Sequence, residues 1–176
     1  MHSPLMSARR ISGLTLRVLC LIVLSCNGGL EPPSTSGPAT GGSFAGLITF
    51  LNWGAVDTLY DLRLVAFTSF PPGDIVTDVL QGRAVVYPAL QNENPLALRG
   101  TDSLMYTVIA PARTFPYVVV AHRFGPDAFN DWRPVGQYDL DTNFSVPSSM
   151  IVEVGRITSG VDIVVDFANP PPVPGP

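Results

Sequence analysis

The sequence predicts an all-β protein built as two stacked antiparallel sheets, and three observations carry that expectation. From Ser43 to Phe167 the chain runs in short stretches rich in Val, Ile, Leu, Phe, Tyr and Thr, each closed by Gly, Pro, Asn or Asp. A hydrophobic fraction of 46 % against 14 % charged residues is too apolar for a disordered chain, while 18 Pro and 16 Gly place turns throughout. We find no segment with a helical period, so no helix is expected.

Seven or eight strands follow from the punctuation. They are Phe44 to Asn52, Tyr60 to Phe70, Arg83 to Tyr87, Ser103 to Ala110, Phe115 to Arg123, Arg133 to Asp139, Met150 to Val154 and Gly160 to Phe167. In the last, Val161, Ile163, Val165 and Phe167 fall on one face and Asp162 and Asp166 on the other, the alternation of a half-buried strand. Tyr117-Val118-Val119-Val120-Ala121 is apolar on both faces, which calls for cover on both sides. Reversals are expected at Pro71 to Asp74, Pro111 to Arg113 and Gly125 to Asp127. The long break from Pro88 to Asp102 has room for a further short strand at Leu96 to Leu98, and Pro170 to Pro176 reads as a frayed tail beyond the domain's end near Asn169.

The N-terminus reads as an export signal. Arg9, Arg10 and Arg17 precede the apolar run Val18 to Leu24, which is far shorter than the roughly 20 residues a membrane-spanning helix needs. Cys20 and Cys26 are the only cysteines, so the domain itself is expected to fold without a disulfide. Three of the ten basic residues, all Arg, lie in the signal; the seven that remain face 14 acids, a net charge of −7. That balance argues against nucleic acid and anionic surfaces as partners.

Val23-Leu24-Ser25-Cys26 resembles the lipobox of bacterial lipoproteins. The resemblance implies a signal peptide over residues 1–25, cleavage after Ser25, and a lipid-bearing Cys26 that anchors the chain to a membrane of the cell envelope. Residues 26–42, rich in Gly, Pro, Ser and Thr, then read as a flexible leash to a domain over residues 43–169. Within that domain, Gly46-Leu47-Ile48-Thr49-Phe50, Leu62 to Phe67, Tyr106-Thr107-Val108, Tyr117 to Ala121 and the close from Gly155 to Phe167 look like prealbumin-like or carboxypeptidase-regulatory-like domains. That likeness implies a Greek-key β-sandwich, transthyretin-like or immunoglobulin-like, serving as a stalk, adhesion module, sugar binder or assembly part. The hydrolase relative of that class relies on several histidines and a Tyr-Arg-Gly-Ser ending. This chain has His122 alone beyond the signal and ends in Pro-Val-Pro-Gly-Pro, so that activity is not carried over.

Few residues carry chemistry. His122 reads as a surface residue at a strand end, with no thiol or Gly-x-Ser-x-Gly elbow to serve, and no cofactor is expected. Asp139, Asp141 and Asn143 space oxygens as the start of a calcium loop does; Phe144 stands where the sharp-turn Gly belongs and Met150 where the bidentate Glu belongs, which excludes a full EF-hand and leaves a looser surface calcium site against a plain solvated loop. Asp162 and Asp166 lie too far apart along a strand to act as a carboxylate pair and read as a solvated face. Trp53, Trp132 and Tyr138 are candidate ligand contacts, since exposed aromatics stack on sugars or anchor partners. The expectation is a non-catalytic, lipid-anchored module that binds or spaces an envelope component. Its alternatives are a carbohydrate-binding module using Trp53 or Trp132, and an enzyme with an acidic site gathered from distant loops.

Overall fold

In the computed structural model, residues 40–141 and 145–175 are described. The expected signal, Cys26, nearly all of the leash, and Asn143 with Phe144 lie outside the described residues. Alternation builds the first sheet around β1 (Gly41–Leu51), which pairs antiparallel with β4 (Ser103–Pro111) and parallel with β9 (Ile157–Thr158) and β10 (Ile163–Asp166). Phe44, Ile48 and Phe50 of β1, Tyr106 and Val108 of β4, and Ile163 and Val165 of β10 turn inward and are buried. The alternation expected for Val161 to Phe167 therefore holds. The sheet as a whole is mixed and not antiparallel as expected. Alternation assigns faces but not direction, and β10 lies too far along the chain from β1 for any turn between them to set their sense.

The second sheet is antiparallel throughout, in the order β3 (Ala84–Tyr87), β2 (Asp61–Phe67), β6 (Tyr117–Arg123), β7 (Trp132–Gln137). Its inner residues, among them Leu62, Leu64, Val118 and Val120, meet those of the first sheet in one core. Full burial of such a side chain contributes about 1.5–3 kcal/mol each. The run expected from Phe115 to Arg123 divides at Pro116, which has no amide hydrogen to pair. The short β5 (Thr114–Phe115) before it pairs instead with β8 (Met150–Ile151).

A single 3-10 turn covers Trp53–Ala55, and a short α-helix stands where none was expected, α1 (Ile75–Leu80). Asp74 starts it by accepting a hydrogen bond from the Thr77 amide at 2.8 Å. Six residues are too few to display a helical period, which is why the sequence hides it. Asp78 of α1 is buried, pairs with Arg83 and accepts from the Gly73 amide at 2.9 Å. Ile75 and Val79 pack on the outer face of β6 and β2 with Val65, Phe67, Tyr117, Val119 and Ala121. This second, smaller core is the cover that the doubly apolar β6 demands.

The segment from Pro88 to Asp102 forms no strand; Leu96 and Ala97 plug the main core from a coil. Buried Arg63 holds this coil. Its guanidinium meets Asp61 at 2.9 Å and donates to the carbonyls of Pro88 (3.1 Å), Ala89 (3.1 Å) and Asn92 (2.6 Å). On the far side β7 and β10 come together through a bridge between Tyr138 and Ile163. Gly136 allows this approach, since a Cβ there would sit 2.6 Å from the Val164 carbonyl oxygen. β1 opens at Gly41, inside the stretch expected to be leash. Gly42 is glycine for packing reasons, because a Cβ would lie 2.1 Å from the Glu153 carbonyl oxygen.

Candidate functional site

The outer face of the second sheet is covered only in part. Beside α1 it opens into a cleft of about 250 Å³ lined by Phe67, Ile75, Tyr117, Val119, Ala121, Phe129, Trp132 and Pro134, with Val173 and Pro174 of the tail along one side. β6 supplies the floor through Tyr117, Val119 and Ala121. β7 supplies Trp132 and Pro134, kept on this face by an extra residue, Val135, that bulges inward to the core between the pairs Val120–Gly136 and Ala121–Pro134. Phe129 stands at the rim on a loop held by Asp127, whose carboxylate accepts from the amides of Phe129 (2.8 Å) and Asn130 (3.2 Å).

Tyr117 is the centre of the cleft. Its ring, 2 % exposed, stacks on Phe67 at 5.8 Å and meets the edge of Phe70 at 5.3 Å. Its hydroxyl is closed off from solvent and has no hydrogen-bond partner. Burial raises the hydroxyl's pKa far above that of a free tyrosine, so the group keeps its proton and stays a donor. Arg133, paired with His122 across the strands, carries its side chain to the other face of the sheet, where its guanidinium lies 5.6 Å from the Phe124 ring centroid and its Nε is buried without a partner. Trp132 is fixed by its indole N–H, which donates to the Ala128 carbonyl at 2.8 Å, and by the Arg123 guanidinium 5.9 Å from the ring centroid.

Of the three aromatic residues expected to contact a ligand, only Trp132 lies in this cleft. Trp53 is a packing residue: it lies 5.4 Å from Phe50 and 4.4 Å from Phe167, and its indole N–H donates to the Thr101 carbonyl at 2.8 Å. Tyr138 is half-buried against the main core, its amide donating to the Val118 carbonyl at 2.8 Å. The phenol is pushed upward in pKa by burial and by Asp162. Tyr117 was read from the sequence only as a sheet residue.

His122, expected at the surface, is 1 % exposed. It belongs to the inner-facing residues of β6, where Nε2 lies 2.8 Å from the Thr58 carbonyl and the ring meets Phe167 edge-on at 6.0 Å. Burial, and secondarily Arg133, hold its pKa below that of a free histidine. A neutral ring with Nε2 donating to a carbonyl is spent on structure.

The acidic loop has its own internal bonding. Asp139 accepts from Ser148 Oγ at 3.1 Å, from the Asp141 amide at 3.3 Å and from the Gln137 side chain at 3.1 Å. Folding brings Asp139 and Asp141 to the same concavity as Asp162 and Asp166. Among the described residues no group of three or more His, Cys, Asp or Glu side chains is placed to hold a metal ion. Asp162 and Asp166, read as merely solvated, are hydrogen-bond acceptors: Asp162 takes the Leu47 amide at 2.7 Å, and Asp166 the Asn52 side chain at 2.7 Å. Bonding to Asn52 and then Asn169 holds the Asp166 carboxyl down at about 2. No protein-family model matches the chain, and no curated protein or solved structure matches it.

Proposed function

We propose that this chain is a lipid-anchored, non-catalytic binding module of the cell envelope, a prealbumin-like or carboxypeptidase-regulatory-like domain, with its ligand site in the cleft around Tyr117 and Trp132. The observation that carries the reading is an open cleft of about 250 Å³ on the outer face of the second sheet, lined by the aromatic residues Tyr117, Phe129 and Trp132. The lipobox at Cys26 supports the anchor. Two or more acyl chains, each buried methylene contributing about 0.8 kcal/mol, hold a protein on a bilayer. The Gly-, Pro-, Ser- and Thr-rich composition from Asn27 to Thr40 suits a linker between anchor and domain.

Carbohydrate stacking on Trp132 is the second reading, since an indole lining an open cleft offers a sugar ring a face. Trp53, enclosed between Phe50 and Phe167, no longer serves it.

Two measurements test the proposal. Mass spectrometry of the protein from its native envelope is expected to find a chain beginning at a diacylated or triacylated Cys26; an unmodified Cys26 contradicts the anchor. Indole ¹⁵N–H spectra recorded with detergent-solubilised envelope extract are expected to show the Trp132 resonance shifting while Trp53 stays. A static Trp132 contradicts the cleft, and binding to a glycan array that Trp132→Ala abolishes favours the second reading.

A further inference from the structure

We infer that the cleft recognises a proline-rich extended segment, and that the chain's own tail is a weak internal occupant of the same chemistry; the inference rests on the cleft being the ligand site. Two observations converge. The tail Pro170-Pro171-Pro172-Val173-Pro174 does not leave the domain as a frayed end but brings Val173 and Pro174 to the side of the cleft. The aromatic residues Tyr117, Phe129 and Trp132 line that cleft, and proline-rich segments dock in aromatic grooves because the polyproline II form is extended before it binds and loses little entropy.

Proline contributes a carbonyl and no amide hydrogen, so a proline-rich segment strands no donor of its own on the apolar floor of Val119 and Ala121. The tail itself is loosely held: Val173 is 69 % exposed, so it reaches only the rim. A partner segment of the same composition that lies deeper displaces it.

The test uses the full mature chain and a synthetic peptide of residues 169–176, Asn-Pro-Pro-Pro-Val-Pro-Gly-Pro, titrated by calorimetry. A chain carrying Val173→Gly and Pro174→Gly is expected to bind the peptide more tightly than the unaltered chain, because its tethered competitor is weakened. Adding Trp132→Ala is expected to weaken binding about tenfold or more, because the indole wall of the cleft is lost. A peptide in which alanine replaces every proline is expected not to bind. The inference is overturned if no binding occurs at millimolar peptide, if the alanine peptide binds equally, or if Trp132→Ala has no effect. Should the peptide fail while envelope extract still shifts the Trp132 resonance, the ligand class falls and the cleft survives as the site; should both fail, the cleft falls with it.

Discussion

Replacing Tyr117 by Phe should stabilise the fold. The substitution removes one oxygen and keeps the ring, so the stack on Phe67 and the edge contact with Phe70 persist. In the free protein the hydroxyl is buried without a partner, which costs about 1–3 kcal/mol. Removing it recovers that cost, less a term of up to about 1 kcal/mol for the small void left behind. The expected net gain is about 1 kcal/mol, or roughly 2–4 °C in melting temperature for a domain of this size. Urea unfolding followed by circular dichroism measures it, with the slope against denaturant unchanged. Destabilisation of the free variant by more than 1 kcal/mol would refute the reasoning, because it would mean the hydroxyl is satisfied within the fold.

Arg63→Ala is expected to destabilise by about 3–5 kcal/mol, since it strands Asp61 and the three loop carbonyls that a single buried guanidinium satisfies; an effect under 1 kcal/mol in urea unfolding would contradict this. For His122 the sign follows from its depressed pKa. The unfolded chain binds a proton near pH 6.5 and the folded one only lower, so stability is fully present above that pH and falls as the pH drops below it. The slope reaches at most about 1.4 kcal/mol per pH unit. Urea unfolding between pH 7.5 and 5 should show this loss, and His122→Gln should flatten it; identical profiles for the two proteins would refute it.

What the sequence revealed and what it hid divide along physical lines. Strands whose faces differ, such as Val161 to Phe167, were legible because alternation reports burial directly. The doubly apolar Tyr117 to Ala121 also announced a second covered face. What covers it was not legible, since α1 is a single capped stretch and the tail's proline run reads alone as loose chain. Direction was invisible too, and β10 entered parallel to β1. Gly41 and Gly42 looked like linker because glycine marks both freedom and close approach, and only the neighbouring Glu153 carbonyl tells which.

For the site, residue type misled at Trp53 and His122, which the fold encloses, and told too little at Tyr117. A tyrosine in an apolar strand carries one polar atom that must be paired or left wanting, and a sequence does not say which. Trp132, singled out for its loop-to-strand junction beside Phe129 and Arg133, lines the cleft.

Nuclear Overhauser contacts between the proline Hδ protons of the residue 169–176 peptide and the protein's aromatic rings test the central claim most directly. The account predicts cross-peaks to Trp132 and Tyr117, and none to Trp53. Contacts to Trp53, or to the exposed Met105 and Ile109 on the first sheet in place of Trp132, would contradict it.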